Sequence, residues 1–240
     1  MGERFLLLAD RKNEKGGKKA MRAEVRIDKI IVRAVISTFA AAVMLTAILF
    51  GVLALAFPQT MMDLTYSLGM DKACVNYAIT SYARFDAVEY IAKGADTALA
   101  AQMYDKADKC LEYLVSDEDF DKFCEQKNQT VVDGLSDVDY RGYYLRQLCV
   151  AKYRAGKGKD AVDRACGLLN GSFAAGNPLV AVLAEARIDQ GKGLPTVQYA
   201  YEKMTGVLSG EEYANYSEAD KAYFQQIYTT IQTWLVTPLA

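Results

Sequence analysis

From Leu145 to Leu169 the chain reads LRQLCVAKYRAGKGKDAVDRACGLL, and this stretch decides the fold class. Leu145, Leu148 and the Lys152-Tyr153 pair recur at helical spacing, and Ala161, Ala165 and Leu168 do so again. Between them stands Gly156, a residue able to take the left-handed conformation that ends a helix. The stretch predicts two helices joined by a tight turn. Towards the N-terminus, Ala78, Tyr82, Phe85, Val88, Ala92, Ala95 and Leu99 fall on one helical stripe. After a break at Ala100 to Gln102, Ala107, Leu111 and Leu114 continue it, while Tyr223, Ile227, Ile231 and Trp234 form the last stripe. No run alternates with period two between hairpin turn dipeptides, so no sheet is expected. The fold class is all-α, with about eight helices and short connections over residues 58–240.

Helix ends carry their own signals. Ser116, Ser136 and Ser217 each precede an aspartate by three residues, the spacing of a reciprocal N-terminal cap, so each predicts a start. Asn177-Pro178 predicts another, with proline in the first turn. Gly156, Gly171, Gly191 and Gly210 predict stops through left-handed glycine.

The Leu145–Leu169 stretch resembles a tetratricopeptide repeat: Leu148 and Cys149 fall at the large and small positions of the first helix, Gly156 at the turn and Ala161 at the small position of the second helix. A second resemblance covers Ile91 to Leu114, with Tyr104 and Ala107 in place, and a third covers Val180 to Lys203, with Leu183, Ala184 and Gly191 in place. The third departs from the pattern at Pro195 and at Thr196, where a small alanine is expected. The tryptophan and terminal proline of the repeat are absent throughout, and Ala107 and Ala161 stand 54 positions apart, against a family period of about 34. The resemblance implies an irregular α-solenoid whose concave face binds a protein or peptide partner. It also places Ala161 where two helices touch, so that Ala161→Leu should strain the packing and Ala174→Leu should not.

Before this domain lies a different kind of sequence. Residues 1–33 hold ten Lys or Arg against five acids, leaving 18 basic and 25 acidic side chains for the remainder. Ala34 to Met62 carries no charge, and its apolar heart, AVISTFAAAVMLTAILFGVLALAF, runs from Ala34 to Phe57. As a helix those residues rise about 36 Å, enough to cross a hydrocarbon core of ~30 Å. Ala54-Leu55-Ala56 has the small-x-small form of a signal-peptide cleavage site. The apolar run and the 33 residues before it are longer than a cleaved signal uses, so an uncleaved anchor is the reading. Arg22, Arg26, Lys29 and Arg33 flank its start, whereas Asp63, Asp71 and Lys72 are the first charges beyond. Basic flanks stay on the cytoplasmic side. This predicts a basic cytoplasmic segment at 1–33 whose first 20 residues form a mobile tail near anionic lipid, a membrane helix at 34–57 and an extracytoplasmic domain at 58–240. Within the span, Ala34, Thr38, Ala42 and Thr46 recur every four residues, with Ala47 and Gly51 as a second small pair, a stripe along which two copies could pair as a homodimer.

The chemistry is set by what is absent. A chain without histidine has no Ser-His-Asp or Cys-His pair and no imidazole metal site. Asp117, Asp119 and Asp121 open like a calcium loop, but Lys122 and Asn128 replace the required glycine and glutamate, so they read as acids at a helix start. Arg154 to Asp160, RAGKGKD, lacks the first glycine and the hydroxyl residue of a phosphate loop and follows a helix. The five cysteines, Cys74, Cys110, Cys124, Cys149 and Cys166, include no CxxC and read as buried thiols, with Cys149 and Cys166 on neighbouring helices. Asn128, Asn170 and Asn215 open glycosylation acceptor triplets. No catalytic residue, cofactor, metal or nucleic-acid partner is expected. Tyr140, Tyr143, Tyr144 and Tyr153 are the candidate partner-binding residues, although most of the tyrosines read as helix-packing residues with their hydroxyls at the surface. The sequence therefore predicts a membrane-anchored interaction or scaffold module rather than an enzyme. The alternative is a histidine-free envelope glycosidase working through two carboxylates.

Overall fold

A computed structural model describes residues 3–129, 139–168, 177–189 and 191–237, and for residues 3–28 and 129 the backbone alone. Ser136, Thr130, Asn170, Gly171 and Ala174 lie outside the described residues. The chain divides into two units, residues 1–57 and 58–240.

The first unit is one helix, α1 (Glu3–Ala56). It begins well before Ala34, so the basic segment expected as a mobile tail has a helical backbone. The physical reason lies in its composition, rich in Lys, Arg, Glu and Ala and free of proline. Within α1, the 28-residue stretch Lys29–Ala56 contains an 18-residue window of mean hydropathy 2.5, is long and apolar enough to cross a membrane, and has no buried residue. The Thr38 and Thr46 hydroxyls donate to the Ala34 and Ala42 carbonyls at 2.9 and 2.8 Å, so two polar groups of the small-residue stripe are satisfied within the helix.

The second unit holds ten α-helices among the described residues: α2 (Pro58–Ser67), α3 (Asp71–Phe85), α4 (Val88–Ala100), α5 (Tyr104–Ser116), α6 (Phe120–Gln129), α7 (Tyr140–Arg154), α8 (Gly158–Gly167), α9 (Pro178–Ile188), α10 (Leu194–Ser209) and α11 (Glu218–Val236). A 3₁₀ turn at Glu211–Asn215 precedes the last. No strand occurs among the described residues.

The stripe from Ala78 to Leu99 is two helices rather than one. Asp86 adopts φ 50°, its N–H closes on the Tyr82 carbonyl, and Ala87 is extended. Aspartate is among the few non-glycine residues that tolerate this conformation. Both helices turn apolar residues to a shared interface, so the period continued across the break. They approach closely there: a Cβ on Gly94 would lie 2.7 Å from the Ala78 Cβ.

The other boundaries divide by mechanism. Ser217 caps α11, accepting from the Asp220 N–H at 3.2 Å and donating to the Asp220 carboxylate at 2.6 Å. Asn177 caps α9, accepting the Leu179 N–H at 2.7 Å with Pro178 in the first turn. Gly156 and Gly191 stand at φ +81°. Gly210 also ends a helix, but in an extended conformation at φ −76° rather than the left-handed one expected. Ser116 is the last residue of α5 and starts nothing. The neighbouring Asp117 carboxylate accepts the Asp119 N–H at 2.8 Å and serves the turn into α6 instead.

Packing is mostly between sequence neighbours: α2 on α3, α3 on α4, α4 on α5, then α5, α7 and α9 in a row, with α8 and α10 in contact with each other and α11 on α10. The three stretches resembling repeats are the contacting pairs α4–α5, α7–α8 and α9–α10. The extra helix α6 enters between the first two, which accounts for the long spacing from Ala107 to Ala161. Thr196, the departure in the third stretch, is buried opposite Gly158, where a Cβ would come within 2.3 Å of the Thr196 hydroxyl. The missing side chain on α8 makes room for the larger one on α10.

One core lies among α3 to α7, around Ile91, Leu111, Leu114 and Leu148. A second lies among α7 to α11, around Val162, Leu179, Leu183, Met204 and Ile231, and a small third cluster of Met62, Cys74 and Ala78 joins α2 to α3. Helix α7 belongs to the first two: Leu145, Leu148 and Ala151 face the first, Cys149 and Tyr153 the second. Ala161 is fully buried in the second core.

Candidate functional site

Helix α4 carries two stripes. Val88, Ile91, Ala95 and Ala98 are buried in the first core. On the opposite side Glu89, Lys93, Asp96 and Ala100 recur at intervals of four, three and four, and they form the floor of an open groove of about 940 Å³. Tyr66 and Ser67 of α2 line one wall, Phe123 and Lys127 of α6 the other, and Asp71 at the start of α3 the end near Ala100. A smaller hollow of about 250 Å³ adjoins it at Glu89 and Phe123 and reaches the α3–α4 turn at Asp86.

Both walls are fixed by lysines. Lys93 pairs with Asp63 of α2 at 2.7 Å, and its ammonium lies 4.6 Å from the centre of the Tyr66 ring. Lys127 pairs with Asp96 at 3.3 Å and lies 5.5, 4.8 and 4.9 Å from the ring centres of Phe123, Tyr140 and Tyr144. The cation is held by the carboxylate, by the Tyr144 hydroxyl that accepts from it, and by the quadrupoles of the Phe123 and Tyr140 rings.

Of the four tyrosines singled out in the sequence, Tyr140, Tyr143 and Tyr144 converge, with Tyr143 and Tyr144 ring centres 5.2 Å apart. Tyr140 and Tyr144 gather around the chain's own Lys127, and Tyr143 packs against these two rings. Tyr144 is fully buried, donates to Asp96 at 3.2 Å and accepts from the Lys127 ammonium. Burial, with Asp96 beside it, holds its hydroxyl above the ordinary tyrosine pKa. Tyr140 and Tyr143 are half-buried. Tyr153 stands apart in the second core and donates to Asp189 at 3.1 Å. The small residues Ala34, Thr38, Ala42 and Thr46 are exposed on α1, in the other unit.

The motifs resembling catalytic loops have structural employment. Asp117 accepts from the Tyr82 hydroxyl, and Asp121 pairs with Arg141, each at 2.8 Å. Asp108, nearly inaccessible, pairs with Lys152 and Lys157 at 2.7 Å each. Lys152 also reaches Glu112 at 3.0 Å, and Glu112 pairs with Arg164, so the RAGKGKD turn is tied to α5. Burial pushes the Lys152 pKa down, but the Asp108 and Glu112 carboxylates outweigh it and the net shift is upward.

All five cysteines are free thiols, Cys149 and Cys166 included. Burial pushes Cys110, Cys124 and Cys149 up to about 12 and Cys166 up to about 11. Thiols so shifted are protonated at neutral pH and poor nucleophiles. Among the described residues no group of three or more Cys, Asp or Glu is arranged to hold a metal ion.

The groove itself was not foreseen. Its one local signal is the polar and small stripe on α4. Its walls come from residues some 20 to 40 positions away, which no local period reveals. No protein-family model matches the chain, and no curated protein or solved structure matches it.

Proposed function

We propose that this protein is a single-pass, membrane-anchored interaction module. Its N-terminus is cytoplasmic, and residues 58–240 form an extracytoplasmic, tetratricopeptide-like array that docks a protein or peptide segment in the groove along α4. The observation that carries the reading is the groove: open, lined by aromatic and charged side chains, and running the length of a helix whose other side is core. A trough of this shape suits a chain segment, with rings for apolar contact and polar groups for register. The anchor rests on the unburied apolar helix Lys29–Ala56, and the orientation on its basic N-terminal flank. The array reading is supported by the sequential packing and by the α7–α8 and α9–α10 pairs.

A photo-crosslinking residue at Ser67, exposed on the groove wall, tests this in native membranes. It is expected to yield a discrete adduct that the same residue at Gln225, exposed on α11, does not. Identical adduct patterns from both positions, or none from Ser67, would contradict it.

A further inference from the structure

We propose that the segment taken by the groove carries two basic side chains, Lys or Arg, four or six residues apart in an extended chain so that both face the groove, with apolar residues between them. This rests on the docking reading above and names its ligand chemistry.

The charge balance in the groove points to such a ligand. Its lysines are already spent. Lys93 is held by Asp63, which lies outside the groove lining, Lys127 by Asp96, and Lys122 stands 3.6 Å from Asp119. Asp71, Asp86 and Glu89 line the two adjoining hollows and enter no ion pair among the described residues. Asp71 and Glu89 are first-turn acids of α3 and α4. The helix dipole favours their charge but does not use up the outward carboxylate oxygens. Asp86, the left-handed residue of the α3–α4 turn, is exposed.

The three acids are not one cluster. Asp86 and Glu89 mark the beginning of α4, whereas Asp71 also lines a neighbouring hollow together with Ala101, just past the end of α4. From Glu89 to Ala100 a helix rises about 16 Å, the span of about five residues of extended chain at ~3.3 Å each. Between the two acidic poles the walls present the Tyr66 ring, 55% exposed, and Phe123. Charge complementarity selects the sign of the ligand at both ends, and the rings select apolar character in the middle.

The test uses the full chain in zwitterionic lipid nanodiscs, so that lipid charge does not attract the probe, and three fluorescent peptides: Arg-Gly-Leu-Ser-Leu-Gly-Arg, whose arginines and leucines share one face, and its twins with Glu or Gln at both ends. The arginine peptide is expected to bind, at least tenfold more tightly than the glutamine twin. Asp86→Asn with Glu89→Gln, or Asp71→Asn alone, should weaken it tenfold or more, and 0.5 M salt should do the same. Circular dichroism of these near-isosteric variants shows whether the fold is kept. If the glutamine twin binds as tightly and Ser67→Trp abolishes both, docking stands and the basic-ligand proposal is overturned. If the arginine peptide does not bind, or binds equally to the acid-neutralised variants, the proposal is likewise overturned. Failure of docking itself is read separately, by the absence of a Ser67 adduct in native membranes.

Discussion

At the scale of single residues, Lys127 and Gly94 carry more of the structure than their types suggest. Lys127 joins three helices through one ammonium, which touches Asp96 of α4, Phe123 of its own helix, and Tyr140 and Tyr144 of α7. Lys127→Met keeps the stem and removes the charge. It should cost about 1–2 kcal/mol in urea unfolding and alter the near-ultraviolet tyrosine signal. Wild-type values for both would show that the rings pack without the cation. Gly94 is a test of close approach, because an added Cβ would meet the Ala78 Cβ, which cannot swing aside. Gly94→Ala is therefore expected to destabilise by about 1–3 kcal/mol. Gly206, exposed within α10 with open space around it, should respond in the opposite sense, Gly206→Ala stabilising by about 0.5–1 kcal/mol. Equal effects at the two sites would mean that helix propensity rather than packing governs both.

At the scale of elements, two of the expected helix starts are capped as read, at Asn177 and Ser217, whereas Ser116 caps none. Asn177→Ala and Ser217→Ala should each cost about 0.5–2 kcal/mol, because each side chain accepts an otherwise orphaned amide. Calorimetry of the single variants checks this, and an unchanged melting temperature would show that solvent satisfies those amides equally well. These caps were legible because the cap, the proline and the glycine act within four residues of one another. The stop at Gly156 and the break after Ala100 were legible for the same reason. What escaped the sequence depended on contacts from elsewhere. Asp86 ends α3 without glycine or proline, and the apolar stripe runs on because α3 and α4 share an interface. Helix α7 faces two cores, so no single polar face marks it. The tyrosine cluster was visible as composition, but its ring arrangement around Lys127 required α6 and α7 to be folded together. Ala161→Leu keeps its expected destabilisation, since Ala161 is fully buried.

At the scale of the whole molecule, the buried acids that stay protonated set an alkaline limit. Burial lifts Cys110, Cys124 and Cys149 from 9.0 to about 12 and, with the carboxylates they meet, Tyr82 and Tyr153 from 10.0 to about 12. A raised folded pKa stabilises fully below the unfolded value, and that contribution is lost as pH rises towards the folded one. The melting temperature should therefore fall between pH 9 and 12, and a flat profile over that interval would count against the burial of these groups. The same scale holds the central proposal, that the helical unit of residues 58–240 is an interaction domain held outside the membrane, with the apolar helix Lys29–Ala56 as its anchor. The most direct measurement is protease treatment of intact cells, followed by detection of tags at the two ends of the chain. The account predicts that the C-terminal tag is lost while a fragment with the N-terminal tag and the apolar helix survives in the membrane fraction. Protection of the C-terminal tag in intact cells, or its recovery in a soluble chain beginning near Phe57, would contradict it.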